Sequence, residues 1–298
     1  MPRFKSSLLT AALALGLAHA ALAHAALAST THTAPSPAPR APDETAAIYK
    51  RIADQVGPAL VTVKFILKFE GGGQFADMMG GDDGRETEMT GLMIEPGGLV
   101  LCSNFRMGGM AAIMGGGNAN PTDIKILPGD ETEGLKAKVL ARDTDLDLCW
   151  VQIDDEKAKG KTFSHVDLKS SSTVTLGERL IAVQRKGKFF DHAMVVAEGR
   201  VGGLARKPRA LVIPSGIAAE LGMPIFNAEG KVIGIGVLQL PSREDMEGGD
   251  MGGMFEGFGG GGPVILPADD VAKATERGKA MPQKEPEAKA ETTPEEKK

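Results

Sequence analysis

Short stretches in which apolar and polar residues alternate, separated by turn-forming residues, recur along most of this 298-residue chain. The first runs from Ala59 to Phe69 and is rich in β-branched and aromatic residues, which favours a strand. The same pattern predicts strands over residues 90–94, 98–103, 123–127, 135–141, 148–153, 179–184, 194–201, 210–213, 224–226, 232–240 and 263–267. Many short strands at this spacing predict an all-β fold, either a sandwich or a pair of barrels.

Helical periodicity is confined to the two ends of this strand-rich region. Residues 43–55 place apolar side chains on one face, with Asp43 or Thr45 as the N-cap and Gly57-Pro58 as the stop. A second, closing helix is predicted over residues 268–277. Both helices are short, so the fold remains dominated by strands.

The ends of the chain have compositions that do not predict a packed core. Residues 1–28 combine a basic start, an Ala/Leu-rich run and small residues at the end, which indicates an export signal; left uncleaved, it would be an anchor. Residues 29–44 predict a disordered linker, and the Lys/Glu/Pro-rich residues 274–298 predict a disordered charged tail. The ordered domain is therefore expected over residues 45–273.

Two internal tracts rich in Gly, Met and Asp, residues 71–84 and 241–262, are interpreted as low-complexity loops. Methionine sulfur suits Cu(I) and clustered carboxylates suit Ca²⁺, but neither tract has the spacing of a known metal loop. No metal site and no cofactor are therefore predicted. Methionines on such loops would suit an adaptable binding surface.

The charge balance narrows the choice of partners. The formal net charge is −5, and removal of Arg3 and Lys5 with the signal would take it to about −7. Binding of nucleic acid needs clustered lysine and arginine, so an acidic chain argues against that partner. Export would bring the two cysteines into an oxidising compartment, periplasmic or extracellular.

Residues 219–234, AELGMPIFNAEGKVIG, hold a tight Gly-Met-Pro turn, a short apolar strand, a hairpin signal and a second apolar strand. In that order they resemble the nucleophile hairpin of trypsin-like serine proteases, above all the HtrA/Deg family. Further segments resemble other strands of that family in the same order along the chain: residues 91–105, 136–154, 176–183 and 262–267. The resemblance implies two six-stranded antiparallel β-barrels that meet near residues 155–175, with short terminal helices. The PDZ domain usual in the family is not expected, because the charged tail follows instead.

The resemblance also locates the positions of the catalytic triad. Phe105 stands at the position of the histidine base and Leu221 at that of the nucleophilic serine, whereas the aspartate is kept as Asp147. Phenylalanine cannot accept a proton and leucine has no hydroxyl to attack with. Ala219 and Glu220 replace the Gly-Asn of the oxyanion loop, which puts that site in doubt. We interpret Asp147 as a strand-end residue held by backbone N–H groups.

The resemblance therefore predicts an exported, catalytically inactive pseudoprotease. It would bind extended or misfolded polypeptide as a scaffold or chaperone-like module, and an oligomer is compatible with this. The alternatives are a regulatory subunit of an active paralogue and a divergent serine endopeptidase with a relocated nucleophile. For the last of these, the candidates by residue type are Ser103, Ser215 and Ser242 with His165 or His192. His192 is interpreted as an exposed loop residue beside Asp191.

Two cysteines, Cys102 and Cys149, fall close to the triad positions Phe105 and Asp147. In the resembled fold the strands that carry them are neighbours, which implies a cross-strand disulfide. The alternative is a pair of separately buried thiols. Their spacing does not match a redox or zinc motif.

Overall fold

The computed structural model describes residues 43–70, 84–113, 118–129, 131–240 and 261–281. The predicted export signal lies outside these residues, as do nearly all of the predicted linker and of the two Gly/Met/Asp tracts, and most of the predicted tail. No helix within the described residues is long and apolar enough to cross a membrane.

The alternating segments form two closed antiparallel barrels of six strands each, which confirms the predicted fold class. In the first barrel the strands are neighbours in the order β1-β2-β3-β6-β5-β4, and in the second in the order β10-β11-β12-β9-β8-β7. The strand bounds are β1 Leu60–Glu70, β2 Arg85–Glu95, β3 Leu99–Ser103, β4 Asn118–Leu127, β5 Leu135–Asp143, β6 Leu148–Ile153, β7 Arg179–Arg185, β8 Met194–Ala205, β9 Leu211–Ser215, β10 Pro224–Phe226, β11 Val232–Gln239 and β12 Gly262–Pro267.

Strands β2 and β4 begin five residues earlier than the alternation predicts. Both extensions pair with the far end of β1, where Leu67 lies opposite Arg85 and Glu70 opposite Asn118. The first four side chains of β2 are polar and exposed or half-buried, and Met89 is the first buried apolar residue of the strand, so little in the sequence marks this part as a strand. The long β1 supplies the partner for both extensions.

Within the described residues there are three α-helices, none of which is part of a barrel sheet. They are α1 Glu44–Val56, α2 Met110–Ile113 and α3 Ala268–Ala280, and short 3-10 turns cover Gly57–Ala59, Glu156–Ala158 and Lys188–Phe190. Asp43 caps α1 by accepting a hydrogen bond from the N–H of Thr45. Two of these bounds correct the predicted domain limits, because α1 already begins at Glu44 and α3 continues past residue 273.

Packing explains why α3 continues to Ala280. Trp150 of β6 is buried, and its indole N–H donates to the hydroxyl of Thr275 on α3 over 2.9 Å. Gly278 lies directly over the same indole, since a Cβ there would lie 3.3 Å from the ring. Acidic residues in the first turn and basic residues in the last also suit the helix dipole. These contacts hold the second half of the helix against the first barrel.

Candidate functional site

The three triad positions lie on loops where the two barrels face each other. Phe105 follows β3 and Asp147 precedes β6, and these strands are antiparallel neighbours, so both positions lie at the same end of the first barrel. The N–H of Asn104 donates to the carbonyl of Asp147 over 3.1 Å, which closes this end. Leu221 belongs to the second barrel, in the loop between β9 and β10.

Gly222 brings the loop of Leu221 against the first barrel. Its φ is +81°, and a Cβ there would lie 2.9 Å from the backbone nitrogen of Ser103 at the end of β3. Only glycine accepts both this conformation and this approach without strain. Gly222, which follows the nucleophile position, therefore allows this loop to pack closely against the end of β3.

An ion pair crosses between the barrels directly beside two of the replaced positions. The guanidinium Nη1 of Arg106, next to Phe105, lies 2.8 Å from the carboxylate of Glu220, next to Leu221. Both side chains are about two-fifths exposed, so the pair contributes at most about 1 kcal/mol. This contact was not predicted. Its only signal in the sequence is a pair of opposite charges, each adjacent to a triad position.

Asp147 is buried and is held by several donors. Its Oδ1 accepts from the N–H of Phe105 over 2.7 Å, and its Oδ2 accepts from the N–H of Leu238 on β11 over 2.9 Å. The hydroxyl of Ser103 lies 3.0 Å from both oxygens. Since β11 belongs to the second barrel, this carboxylate joins the two barrels.

Burial raises the pKa of the Asp147 carboxyl above its ordinary value, because the charged form loses its hydration. The hydrogen bonds from Phe105, Leu238 and Ser103 favour the charged form and oppose that rise. Asp147 also has φ +57°, a left-handed conformation that few residues other than glycine adopt. The aspartate is thus held in a fixed geometry by backbone groups of both barrels.

The loop that carries Ala219, Glu220 and Leu221 is tied to β11. The N–H of Gly222 donates to the carbonyl of Gly236 over 2.7 Å, and the N–H of Gly236 donates to Met223 over 2.9 Å. A Cβ on Gly236 would lie 2.3 Å from the carbonyl oxygen of Glu220, so the loop lies flat on this strand. Ala219 is buried, whereas Glu220 and Leu221 are half-buried.

Residues 90–235, which hold all three triad positions, match the trypsin-like peptidase domain family. This part of the chain is a trypsin-like peptidase domain. Its similarity to solved structures is distant. The MamO protease domain from Magnetospirillum magneticum is 19% identical, with 74% of this chain and 97% of that chain covered and a TM-score of 0.44.

The solved structures similar to this chain include HtrA/Deg-type proteases. Deg5 is 16% identical, with 78% of this chain and 93% of that chain covered and a TM-score of 0.49. The HtrA-type protease AlgW, solved with a tripeptide, is 14% identical, with 76% of this chain and 62% of that chain covered and a TM-score of 0.46. No curated protein matches this chain.

No histidine of the described residues contacts Asp147, and the one serine bonded to it, Ser103, has no histidine beside it. His165 is exposed, and its Nδ1 lies 3.2 Å from the carbonyl of Phe163. Ser103 is fully buried and bonded to Asp147, and Ser215 is exposed on β9. Ser242 lies outside the described residues. None of the described candidates forms a serine–histidine pair.

His192 differs from its sequence interpretation as an exposed partner of Asp191. Its side chain is one-third exposed, and its Nδ1 lies 3.8 Å from the carboxylate of Glu88. Both line a cleft of about 120 Å³ together with Thr90, Arg106, Lys186 and Glu220. Asp191 and His192 both have left-handed φ at the end of the β7–β8 hairpin, where the imidazole of His192 lies beside Glu88 of the first barrel.

Cys102 and Cys149 are directly opposite each other on β3 and β6, as the resemblance implied, but both thiols are free. The register explains the missing bond. Hydrogen-bonded and non-hydrogen-bonded pairs alternate along two antiparallel strands. Asn104 and Asp147 form a hydrogen-bonded pair, and Cys102 and Cys149 are the opposed pair two positions away, so the cysteines also occupy a hydrogen-bonded pair. Their Cβ atoms are then roughly 5.5 Å apart, beyond the about 3.5–4.5 Å of a disulfide.

The two thiols should therefore persist in the purified protein. We expect thiol titration with Ellman's reagent to find two reactive groups per chain after denaturation without reductant. The native protein should react with neither, because burial raises the pKa of both thiols, that of Cys149 to about 11. A protein mass lower by two hydrogens, with no titratable thiol, would contradict this expectation.

Metal ligation has no support in the described part of the trypsin-like domain. No group of three or more His, Cys, Asp or Glu side chains is close enough there to hold an ion.

Proposed function

We propose that the trypsin-like domain is a pseudoprotease that binds extended or misfolded polypeptide in the cleft between its barrels without cleaving it. The observation that carries this proposal is the bonding of Asp147. In an active triad the aspartate holds the imidazole that takes the proton from the serine. Here its oxygens accept from Phe105, Leu238 and Ser103, and no histidine of the described chain contacts it.

Binding does not require the catalytic groups. An extended peptide can be held by main-chain hydrogen bonds and by side-chain pockets alone. The cleft offers charges of both signs, with Arg106 and Lys186 beside Glu88 and Glu220. We further propose that the protein is exported, as its first 28 residues indicate, and meets such chains in the periplasm or outside the cell.

The second candidate is a divergent hydrolase, and the position of His192 favours it. A histidine beside a carboxylate in a cleft is half of a general-base arrangement. Thr90 lines the same cleft, but its hydroxyl donates to the carbonyl of Arg185 over 3.2 Å, and within the described residues no hydroxyl is hydrogen-bonded to His192. The arrangement therefore lacks an activated nucleophile.

Three measurements on the purified full chain test the proposal. We expect no labelling by a fluorophosphonate probe, no digestion of unfolded casein, and saturable binding of fluorescein-labelled, reduced and carboxymethylated α-lactalbumin by fluorescence anisotropy. Casein digestion that disappears in the His192→Ala variant would instead support the hydrolase. Absence of both digestion and binding would overturn the proposed function.

A further inference from the structure

The β7–β8 hairpin, residues 186–193, presents an aromatic pair to solvent. Phe189 is 90% exposed and Phe190 is 61% exposed. Their rings pack edge to face with centroids 5.0 Å apart, so they form one apolar surface. Burying one phenylalanine side chain contributes about 1.5–3 kcal/mol of favourable free energy. A partner that covered both rings would therefore gain considerable binding free energy.

The backbone of the hairpin holds the pair outward. Phe189 and Phe190 end a 3-10 turn, and the next two residues, Asp191 and His192, have φ of +50° and +52°. Consecutive non-glycine residues in the left-handed region are unfavourable and are typical of functional sites. The N–H of Lys186 donates to the carbonyl of Ala193 over 2.9 Å, which closes the base of the hairpin.

The charge around the aromatic pair is mainly positive, although the chain as a whole is acidic. Lys186 and Lys188 flank the pair, and neither forms an ion pair within the described residues. The acidic groups nearby are Asp191 on the hairpin itself and Glu88 and Glu220 in the cleft. Glu88 lies 3.9 Å from Lys64 and Glu220 lies 2.8 Å from Arg106, so Asp191 alone offsets the two lysines. Two unpaired lysines beside an apolar surface complement a partner that is both apolar and acidic.

The hairpin and the cleft form one continuous surface. Lys186, Gly187 and His192 line the cleft together with Arg106 and Glu220, and Phe189 and Phe190 follow directly at the tip. A polypeptide that leaves the cleft on this side would meet the aromatic pair next. This continuity favours an unfolded polypeptide over a membrane surface as the partner.

We infer that the β7–β8 hairpin is a second contact site for the polypeptide that the cleft binds, and that it selects segments with aromatic or aliphatic side chains next to Asp or Glu. This inference rests on the proposed function and adds the class of ligand. The phenyl rings bury the apolar side chains of the segment, while Lys186 and Lys188 pair with its carboxylates. Salt should weaken the part of the second contact that depends on Lys186 and Lys188, while burial of apolar side chains against the phenyl rings persists.

The test compares two pairs of substitutions at exposed apolar positions of the same barrel. Phe189→Ser with Phe190→Ser removes the aromatic pair. Leu204→Ser with Ile213→Ser, 50% and 44% exposed on β8 and β9, is the matched control. Binding of labelled, carboxymethylated α-lactalbumin, an acidic unfolded chain, should weaken about tenfold or more in the first variant and change little in the control. Lys186→Glu with Lys188→Glu should weaken it as well.

The outcomes separate this inference from the proposed function. Wild-type binding that neither the Phe nor the Lys substitutions change would overturn the hairpin site and leave the cleft proposal standing. Absence of wild-type binding would overturn both. Binding to vesicles of phosphatidylglycerol and phosphatidylcholine that is lost in the Phe variant, with polypeptide binding intact, would show a membrane contact instead. Tryptophan fluorescence of each variant establishes that it is folded.

Discussion

Replacement of Asp147 by alanine should lower the free energy of unfolding by about 3 kcal/mol or more. The substitution leaves the buried N–H of Leu238 and the N–H of Phe105 without their acceptor, and an unsatisfied buried donor costs about 1–3 kcal/mol. Within the described residues, no other side chain hydrogen-bonds both β11 and the end of β3. Urea unfolding followed by the fluorescence of Trp150, the single tryptophan, measures the loss.

Asp145 offers a matched control two residues away. It is exposed, so its replacement by alanine should change the free energy of unfolding by less than about 0.5 kcal/mol. An Asp147→Ala protein as stable as the wild type would show that the hydrogen bonds described above are not needed to hold the barrels together.

The Asp147→Asn variant tests the raised pKa separately. Because the folded-state pKa lies above the unfolded value of about 3.9, the folded protein binds the proton more tightly than the unfolded chain. That contribution to stability is fully present below about pH 4 and is lost as the pH rises through the folded-state pKa. Asparagine does not ionise, so wild-type stability relative to this variant should fall over that window. A difference that is independent of pH would contradict the raised pKa.

Restoration of the two missing triad residues should not restore proteolysis. We expect Phe105→His combined with Leu221→Ser to digest casein at least about 100-fold more slowly than a variant that also carries Ala219→Gly and Glu220→Asn, since loss of one oxyanion donor costs about 10²–10³ in rate. The reason is the loop before Leu221, where Ala219 is buried and Glu220 is bonded to Arg106. Initial rates of casein digestion by both variants measure the difference.

The matched control for this comparison is Ala219→Gly with Glu220→Asn alone, which should digest nothing because it lacks both base and nucleophile. It also shows whether the loop tolerates the change, since it removes the ion pair to Arg106. Equal turnover in the double and the fourfold variants would show that the Ala219-Glu220 backbone already forms a working oxyanion site.

Much of the fold could be predicted because its signals are local. Alternation of apolar and polar residues located every described strand, and the turn residues marked where one strand ends and the next begins. The starts of β2 and β4 were missed because most side chains of these extensions are polar, although their backbones pair with β1. The end of α3 was missed because it depends on Trp150, which is far away in the sequence.

The candidate site could be predicted only in part. The order of segments assigns Phe105, Asp147 and Leu221 to the triad positions, and Asp147 accepts hydrogen bonds from the backbone N–H groups of Phe105 and Leu238. The contacts of Arg106 with Glu220 and of Asp147 with Leu238 join residues about 100 positions apart, and no periodicity reports such pairs. The disulfide prediction was wrong for a finer reason. The resemblance identifies β3 and β6 as neighbouring strands. It does not show whether Cys102 and Cys149 stand at a hydrogen-bonded or at a non-hydrogen-bonded pair of positions.

Both cysteines of the chain lie in the first barrel, one on β3 and one on β6, and the second barrel contains none. Alkylation of these buried thiols requires the two strands to separate, because only the exposed thiolate reacts. The rate of modification in native buffer therefore reports how often the first barrel opens, independently of the second. The wild-type chain thus carries an intrinsic probe of its own local unfolding, with no need for an engineered label.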